Sequence, residues 1–407
     1  MAILDNRGRC AVRISVSLLC CIAAILATGC SPGKIVVGGG TPTPTPAPSP
    51  RMLVSDNTSG TINVVNAVTD VITKTLTAAS PGKMVSAGGT TLIQSTLSSS
   101  VAIFDNTSET IRFTVNLSGL PLDVAISPDG KTGWVAVNDG TVQSINTATG
   151  VVSGNFAVAG VQRIVIGPQG LTVLAFNDTL ANNFGVILNT AFTTPGNAGL
   201  NHPANGIFLT DDNHFSVLSC GVECGGTQAS IANVVLNAPG GPSFSTPISL
   251  SGATIGLLSG GSTFVAGSPA SGLNAGTIQV VNNSTSTAGT AIHIADGRHN
   301  LMALTPNSRL YIGSTSCTLG AVNAQNLRQG CLAIFDTVSQ AVTPVLLSAT
   351  RPNGDVTALA PVAGRNVIYV VQGGKVDIFD ITTNAVSTTA TPPNPPGTVF
   401  GVVQLSP

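Results

Sequence analysis

Between residues 51 and 407 the apolar positions fall in short runs, each cut off by a turn signal, and the runs form a recurring phrase. The first run ends near a Pro or a turn: DVAISP (123–128), RIVIGP (163–168), GIFLTD (206–211), LMALTP (301–306), VTALAP (356–361) and FGVVQLSP (400–407). KMVSAG (83–88) and TIGLLSG (254–260) are weaker versions of it, which makes eight. A second run follows after a tight turn, as in TGWVAVN (132–138), RLYIGST (309–315) and NVIYVVQ (366–372). The third is clearest in AIFDNTSETI (102–111), AIFDTVSQAV (333–342) and DIFDITTNAV (377–386), and a looser Val/Thr-rich run completes each unit. Runs this short, β-branched and bounded by Gly, Asn, Asp and Pro predict strands joined by hairpins.

Four strands in about 40–50 residues is the period of a β-propeller blade, and no helix-period segment interrupts it. The predicted fold is therefore all-β, a propeller of four-stranded antiparallel blades, with eight blades favoured over seven. The chain ends on a first-type strand, FGVVQLSP, whereas the domain opens near residue 53 on a second-type strand, LVSDN. The last strand can thus complete the first blade and close the ring, which removes open strand edges.

WVAVN (134–138) and YVVQG (369–373), with the turns SPDGK and TATG, resemble the signature of the YVTN-type bacterial propeller family. The likeness spans essentially all of 51–407 and is weakest over 161–300. It implies an extracytoplasmic protein, and such propellers are often seven-bladed, so 83–117 and 253–294 are where a count of eight would fail. Some propellers of this kind are lactonases, which brings in a hydrolase as an alternative function.

The first 50 residues have a different character. Arg7, Arg9 and Arg13 precede a 14-residue apolar run, ISVSLLCCIAAILA, too short to span a bilayer comfortably and suited to a signal peptide over 1–29. LATGC (26–30) resembles a bacterial lipoprotein signal, with cleavage before an acylated Cys30. Ser31 in place of Asp after that Cys implies the outer membrane. The segment 30–50 then reads as a spacer: three glycines followed by TPTPTPAPSP, an extended rod of roughly 30 Å.

Composition narrows the function. Charged residues are 8% of the chain, net charge is −1 and aromatics are 4%, so neither a basic footprint nor a stacking platform for nucleic acid is present. Few aromatics also rank polysaccharide binding low. The IFD aspartates Asp105, Asp336 and Asp380 begin tight turns, where a carboxylate bonds nearby backbone N–H groups. Asp211 and Asp212 could offer oxygens to calcium, but without the ordered spacing of a calcium loop. Only two glutamates occur, Glu109 and Glu223, and the four histidines lack metal-ligand spacing. Catalytic residues and a resident cofactor are accordingly not assigned.

Four cysteines of the propeller region, Cys220, Cys224, Cys317 and Cys331, allow three pairings, and proximity favours 220–224 and 317–331. Both pairs sit in insertions between second and third strands. In an up-and-down blade those loops share a face with the connections between blades. The scarce charges gather at those connections: Lys83, Asp123, Arg163, His202, Arg298, His299, Arg328, Arg351 and Asp355. This decorated face is the expected binding surface, because rigid scaffolds carry functional residues on loops. The expected role is a non-catalytic binding or scaffolding lipoprotein with a protein partner in the cell envelope. A hydrolase at the channel mouth and a surface or adhesion module are the alternatives.

Overall fold

The computed structural model describes residues 49–177, 184–188, 191–194, 200–272, 274–318, 327–328, 330–343, 347–348 and 354–406. Eight antiparallel sheets on a four-strand plan follow one another along it. Blade 1 takes Arg51–Asp56, Thr61–Asn66 and Val71–Thr77 from the start of the domain and Val399–Gln404 from its end. The inner strands of blades 2 to 8 begin at Pro81, Pro121, Arg163, Pro203, Ile255, Arg298 and Val356. Each inner strand contacts those of the two adjacent blades, so the ring is closed. The structure therefore has eight blades, and the two doubtful stretches are complete blades 2 and 6.

Closure works as the phrase order predicts. Val399–Gln404 pairs antiparallel with Arg51–Asp56, from Met52 opposite Gln404 to Asp56 opposite Val399. In blades 5 and 6 the rim strand is split: Ser243–Phe244 and Ile248–Leu250 both pair with Ala229–Val235, and blade 6 repeats the device.

Burial explains the sequence pattern strand by strand. Second strands such as Thr132–Val137 lie between neighbouring blades and are buried on both faces, so they read as unbroken apolar runs. Rim strands such as Val71–Thr77 and Val151–Ala157 alternate between half-buried and exposed residues, because one face meets solvent. The apolar core is divided into eight clusters, one at each seam between blades. Trp134, for instance, sits with Val142 of blade 3 against Ile164 and Val173 of blade 4. No blade buries both faces without a neighbour, which is the physical reason for the repeat. Gly133 shows how tight these seams are: a Cβ there would lie 2.7 Å from Leu92 Cδ1 of the preceding blade.

Hydrogen bonds and ion pairs reinforce the seams on the underside, where inner strands end. Asp70 of blade 1 accepts a two-pronged ion pair from Arg365 of blade 8, at 2.5 and 3.1 Å, and the Tyr369 hydroxyl donates to the same carboxylate. Asp212 of blade 5 accepts N–H bonds from Gln169, Leu171 and Thr172 of blade 4. Among the described residues no helix is long and apolar enough to cross a membrane.

Candidate functional site at the channel mouth

The inner strands start at the mouth of the central channel. Six of the eight carry a one-residue bulge close to that start, revealed by register shifts at Gly82–Lys83, Leu122, Ala204, Asn300, Thr357 and Phe400. A bulge leaves one residue unpaired and re-aims side chains. Five of these bulges place a residue in the channel-mouth cavity of about 590 Å³: Lys83, Leu122, Asn300, Thr357 and Phe400. Asp123, Arg163 and Asp355 line the same cavity.

The charged groups are held individually. Lys83 forms an ion pair with Asp123 of the next blade. The Asp123 carboxylate also accepts the N–H of Val124 and, across the following seam, that of Ile164, each at 3.0 Å. Arg163 reaches from blade 4 to the Thr254 carbonyl at the start of blade 6, 3.1 Å away. Arg298 of blade 7 donates to Gln162 Oε1 at 3.4 Å. Asp355 accepts the Ser316 N–H at 2.6 Å, joining blades 7 and 8. The mouth is thus crossed by donors and acceptors from six blades.

A side lobe of about 320 Å³ opens between blades 4, 5, 6 and 7, bordered by Gln162, Arg163, Thr254, Arg298, His299 and Asn300. His299 is only 1% exposed. Burial pushes its imidazole down to about 4, against the opposing pull of the Ala295 carbonyl and the Asp296 charge, so it is neutral at pH 7. A third basin of about 500 Å³ lies beside it, between the Glu223–Cys224 turn, Pro269–Ser271 and Asp296. Burial pushes the Asp296 carboxyl up, but N–H bonds from Gly272 and Thr318 and the Thr318 hydroxyl together hold it below the usual carboxylate range.

Both expected disulfides are present: Cys220–Cys224, with Cα atoms 5.7 Å apart, and Cys317–Cys331, at 5.5 Å. The first closes the turn Gly221–Cys224, from which Glu223 accepts the Ser268 N–H of blade 6 at 2.7 Å. His202 lies against that turn, its carbonyl accepting the Cys220 N–H at 3.0 Å. Arg328 belongs to a short strand, Leu327–Arg328, paired with Leu347–Ser348. Arg351 and Cys30 lie outside the described residues. Of the nine residues expected on the binding face, the structure brings Lys83, Asp123, Arg163 and Asp355 into the mouth cavity and Arg163, Arg298 and His299 around the side lobe. It leaves His202 at the disulfide turn.

Sequence reasoning missed the uncharged members: Gln94, Gln162, Thr254, Asn300 and Phe400. Their only signal is position, within two residues of an inner strand's start or opposite it. Other acids have structural roles. Asp105, Asp336 and Asp380 each accept two backbone N–H bonds within their turns on the underside. Asp212 is taken by blade 4, and Asp211 accepts from Asn213 and His214, so the pair does not present a convergent oxygen set. Glu109 pairs with Arg51 on the underside, far from Glu223 in blade 5. Among the described residues no three His, Cys, Asp or Glu side chains converge as a ligand set.

The chain is an eight-bladed β-propeller with a decorated channel mouth. No family model and no curated protein matches it. Among solved structures it is similar to the dihydro-heme d1 dehydrogenase NirN in complex with DHE, at 12% identity over 88% of this chain and 75% of that one, with a TM-score of 0.65. It is also similar to apo AztD from Citrobacter koseri, at 13% identity over 88% and 98% of the chains and a TM-score of 0.60. A functionally unknown protein from Desulfotomaculum acetoxidans gives 13% identity, 88% and 99% coverage and a TM-score of 0.53. At such identities the likeness shows the fold alone, since one propeller scaffold carries unrelated activities.

Proposed function

We propose that this protein is a lipid-anchored, extracytoplasmic propeller of the YVTN type that acts as a non-catalytic binding or scaffolding module, capturing a protein partner of the cell envelope through its channel-mouth face. The observation that carries the reading is the asymmetry of the ring. Charged and amide side chains from successive blades converge at one end, beside two disulfide-closed loops. Two disulfides suit an oxidising compartment. The LATGC stretch ending at Cys30 supports an acyl anchor in the outer membrane, and the Pro-rich spacer supports presentation away from it.

Cross-linking cells that carry the full-length protein, followed by purification in detergent, tests the reading. A partner captured by wild type and lost with Arg163→Ala/Arg298→Ala, in a variant of unchanged circular dichroism, is the expected result. Equal capture by both proteins would refute the assigned face. Cys30→Ala is expected to move the protein from the membrane to the soluble fraction, and unchanged fractionation would refute the anchor.

A further inference from the structure

We propose that Cys220–Cys224 is an exchangeable disulfide, reduced and re-formed by a protein dithiol that enters the 500 Å³ basin beside it, whereas Cys317–Cys331 is a structural bridge. The inference is independent of partner capture and concerns the isolated protein.

Access separates the two bridges. Cys331 is packed with Leu332, Ile334 and Val356 in the apolar cluster at the seam of blades 7 and 8. Cys317 is partly exposed but packs against that same cluster, and it borders none of the cavities at the mouth. Cys224 is partly exposed and borders the basin, while its partner Cys220 is 1% exposed. Exchange begins when a thiolate reaches one sulfur of the bridge. Cys224 is therefore the sulfur that is attacked, and Cys220 is the one that leaves.

The turn also provides for the reduced state. Cys220 Sγ lies 3.1 Å from the His202 carbonyl oxygen. A disulfide sulfur carries no proton, so this contact becomes a hydrogen bond only when Cys220 is a thiol. The S–H then donates to an oxygen that already accepts the Cys220 N–H and has a second lone pair. A bond made only by the reduced form makes a disulfide easier to reduce. Backbone bonds keep the turn together without the bridge: Glu223 N–H to Cys220 O at 3.3 Å, Gly225 N–H to Val222 O at 3.2 Å and Gly226 N–H to Gly221 O at 2.8 Å. The two thiols thus stay in one turn, which makes the couple reversible. The bridge joins residues four apart, against fourteen for Cys317–Cys331, and a cross-link holds a fold less the shorter its loop. Opening it leaves the ring standing. Glu223, inside that loop, accepts the Ser268 N–H of blade 6, which ties the redox state of the turn to the wall of the basin.

In the reaction, a thiolate of the incoming dithiol attacks Cys224 Sγ, forms a mixed disulfide and expels Cys220 as a thiolate, which takes up a proton. The second sulfur of the dithiol then attacks the first, and Cys224 leaves and is protonated in turn. The dithiol departs as a disulfide, having given two electrons and two protons to the two cysteines.

The full-length protein in detergent, equilibrated with mixtures of reduced and oxidised dithiothreitol and separately with reduced thioredoxin, tests this. Free thiols are trapped with N-ethylmaleimide, each bridge is scored by peptide mass spectrometry, and circular dichroism is recorded on the same samples. Cys220–Cys224 should open at a ratio of reduced to oxidised reagent about a hundredfold lower than Cys317–Cys331, equivalent to about 60 mV, with unchanged circular dichroism. Thioredoxin should open the first bridge and leave the second closed. In Cys220→Ala the remaining Cys224 should be labelled at least roughly tenfold faster than Cys220 is in Cys224→Ala. The proposal is overturned if both bridges open at the same ratio, if the first opens only as circular dichroism is lost, or if the folded variants label alike. The wild-type titration decides by itself where a variant does not fold. A negative result here leaves the cross-linking test of partner capture unaffected.

Discussion

His299 makes the stability of this ring depend on pH well above the range where carboxylates titrate. The imidazole is 1% exposed, and burial lowers it from 6.5 to about 4. Between those values the unfolded chain binds a proton that the folded chain excludes, so stability is complete above pH 6.5 and is lost as pH falls. At about 1.4 kcal/mol per unit the full loss is about 3 kcal/mol, of which about 2 kcal/mol is gone by pH 5. Asp105, Asp296 and Asp380, all held below the usual carboxylate range, have the same direction but a lower window. Their contribution is present above an ordinary carboxylate value of 3.8 and fades only beneath it, so it does not overlap the range from pH 7.5 to 5. Urea unfolding at those two pH values, followed by the single tryptophan, Trp134, and by circular dichroism, measures the difference. Coincident transitions check that the ring unfolds as a unit. Wild type should lose about 2 kcal/mol, equivalent to a fall in melting temperature of roughly 3 °C for a domain this large. His299→Asn should be less stable at both pH values yet show most of that pH difference removed. Equal pH differences in the two proteins would refute the argument, as would a wild-type loss under about 0.5 kcal/mol.

Two further outcomes follow from how the ring is held. Asp70→Asn should destabilise by about 3 kcal/mol because it strands the Arg365 guanidinium at the seam of blades 1 and 8, and Asp70→Asn/Arg365→Met should recover part of it in a double-mutant cycle. A cycle with no coupling in urea unfolding would show that the pair does not hold the seam. Replacing Cys317 and Cys331 by Ser should cost about 3 kcal/mol, set by the length of the loop they close, and an unchanged midpoint in non-reducing urea would contradict it.

Most of the architecture was legible because each strand type keeps its own hydrophobic signature. Second and third strands are buried on both faces, so TGWVAVN and AIFD stand out, and the order of types located the closing strand. The split rims of blades 5 and 6 were not legible, since two- and three-residue strands carry no period. The charged mouth was legible only as position: Lys83, Asp123, Arg163 and Arg298 stand near the starts of first-type runs. Their partners were not. Lys83 meets Asp123 forty residues away, and Arg163 reaches Thr254 two blades on, which depends on ring geometry. The bulges were equally hidden, because a register shift belongs to a pair of strands and leaves no mark on one.

The two faces of the ring differ for a physical reason that bears on where function can arise. On the underside the hairpins are short, and their polar groups are spent on turns and seams: Asp105, Asp336 and Asp380 on their own turns, Asp212 on blade 4, Asp70 on Arg365. A substitution there removes a bond that shapes a turn, as at Asp105, or that holds two blades together, as at Asp70 and Asp212. At the mouth the connections are longer, and two are closed on themselves by disulfides, which makes their shape less dependent on the seams. Bulges let an inner strand aim one residue at the channel while neighbouring residues keep their ladder bonds. His299 and Asn300 show the consequence. In a strand under no other constraint, two adjacent buried acceptors without donors would be a net cost, and a core of ordinary apolar residues would be more stable. His299 Nδ1 and Asn300 Oδ1 are both buried there without a hydrogen-bond partner, so the bulged inner strand of blade 7 carries polar groups that its own ladder does not use.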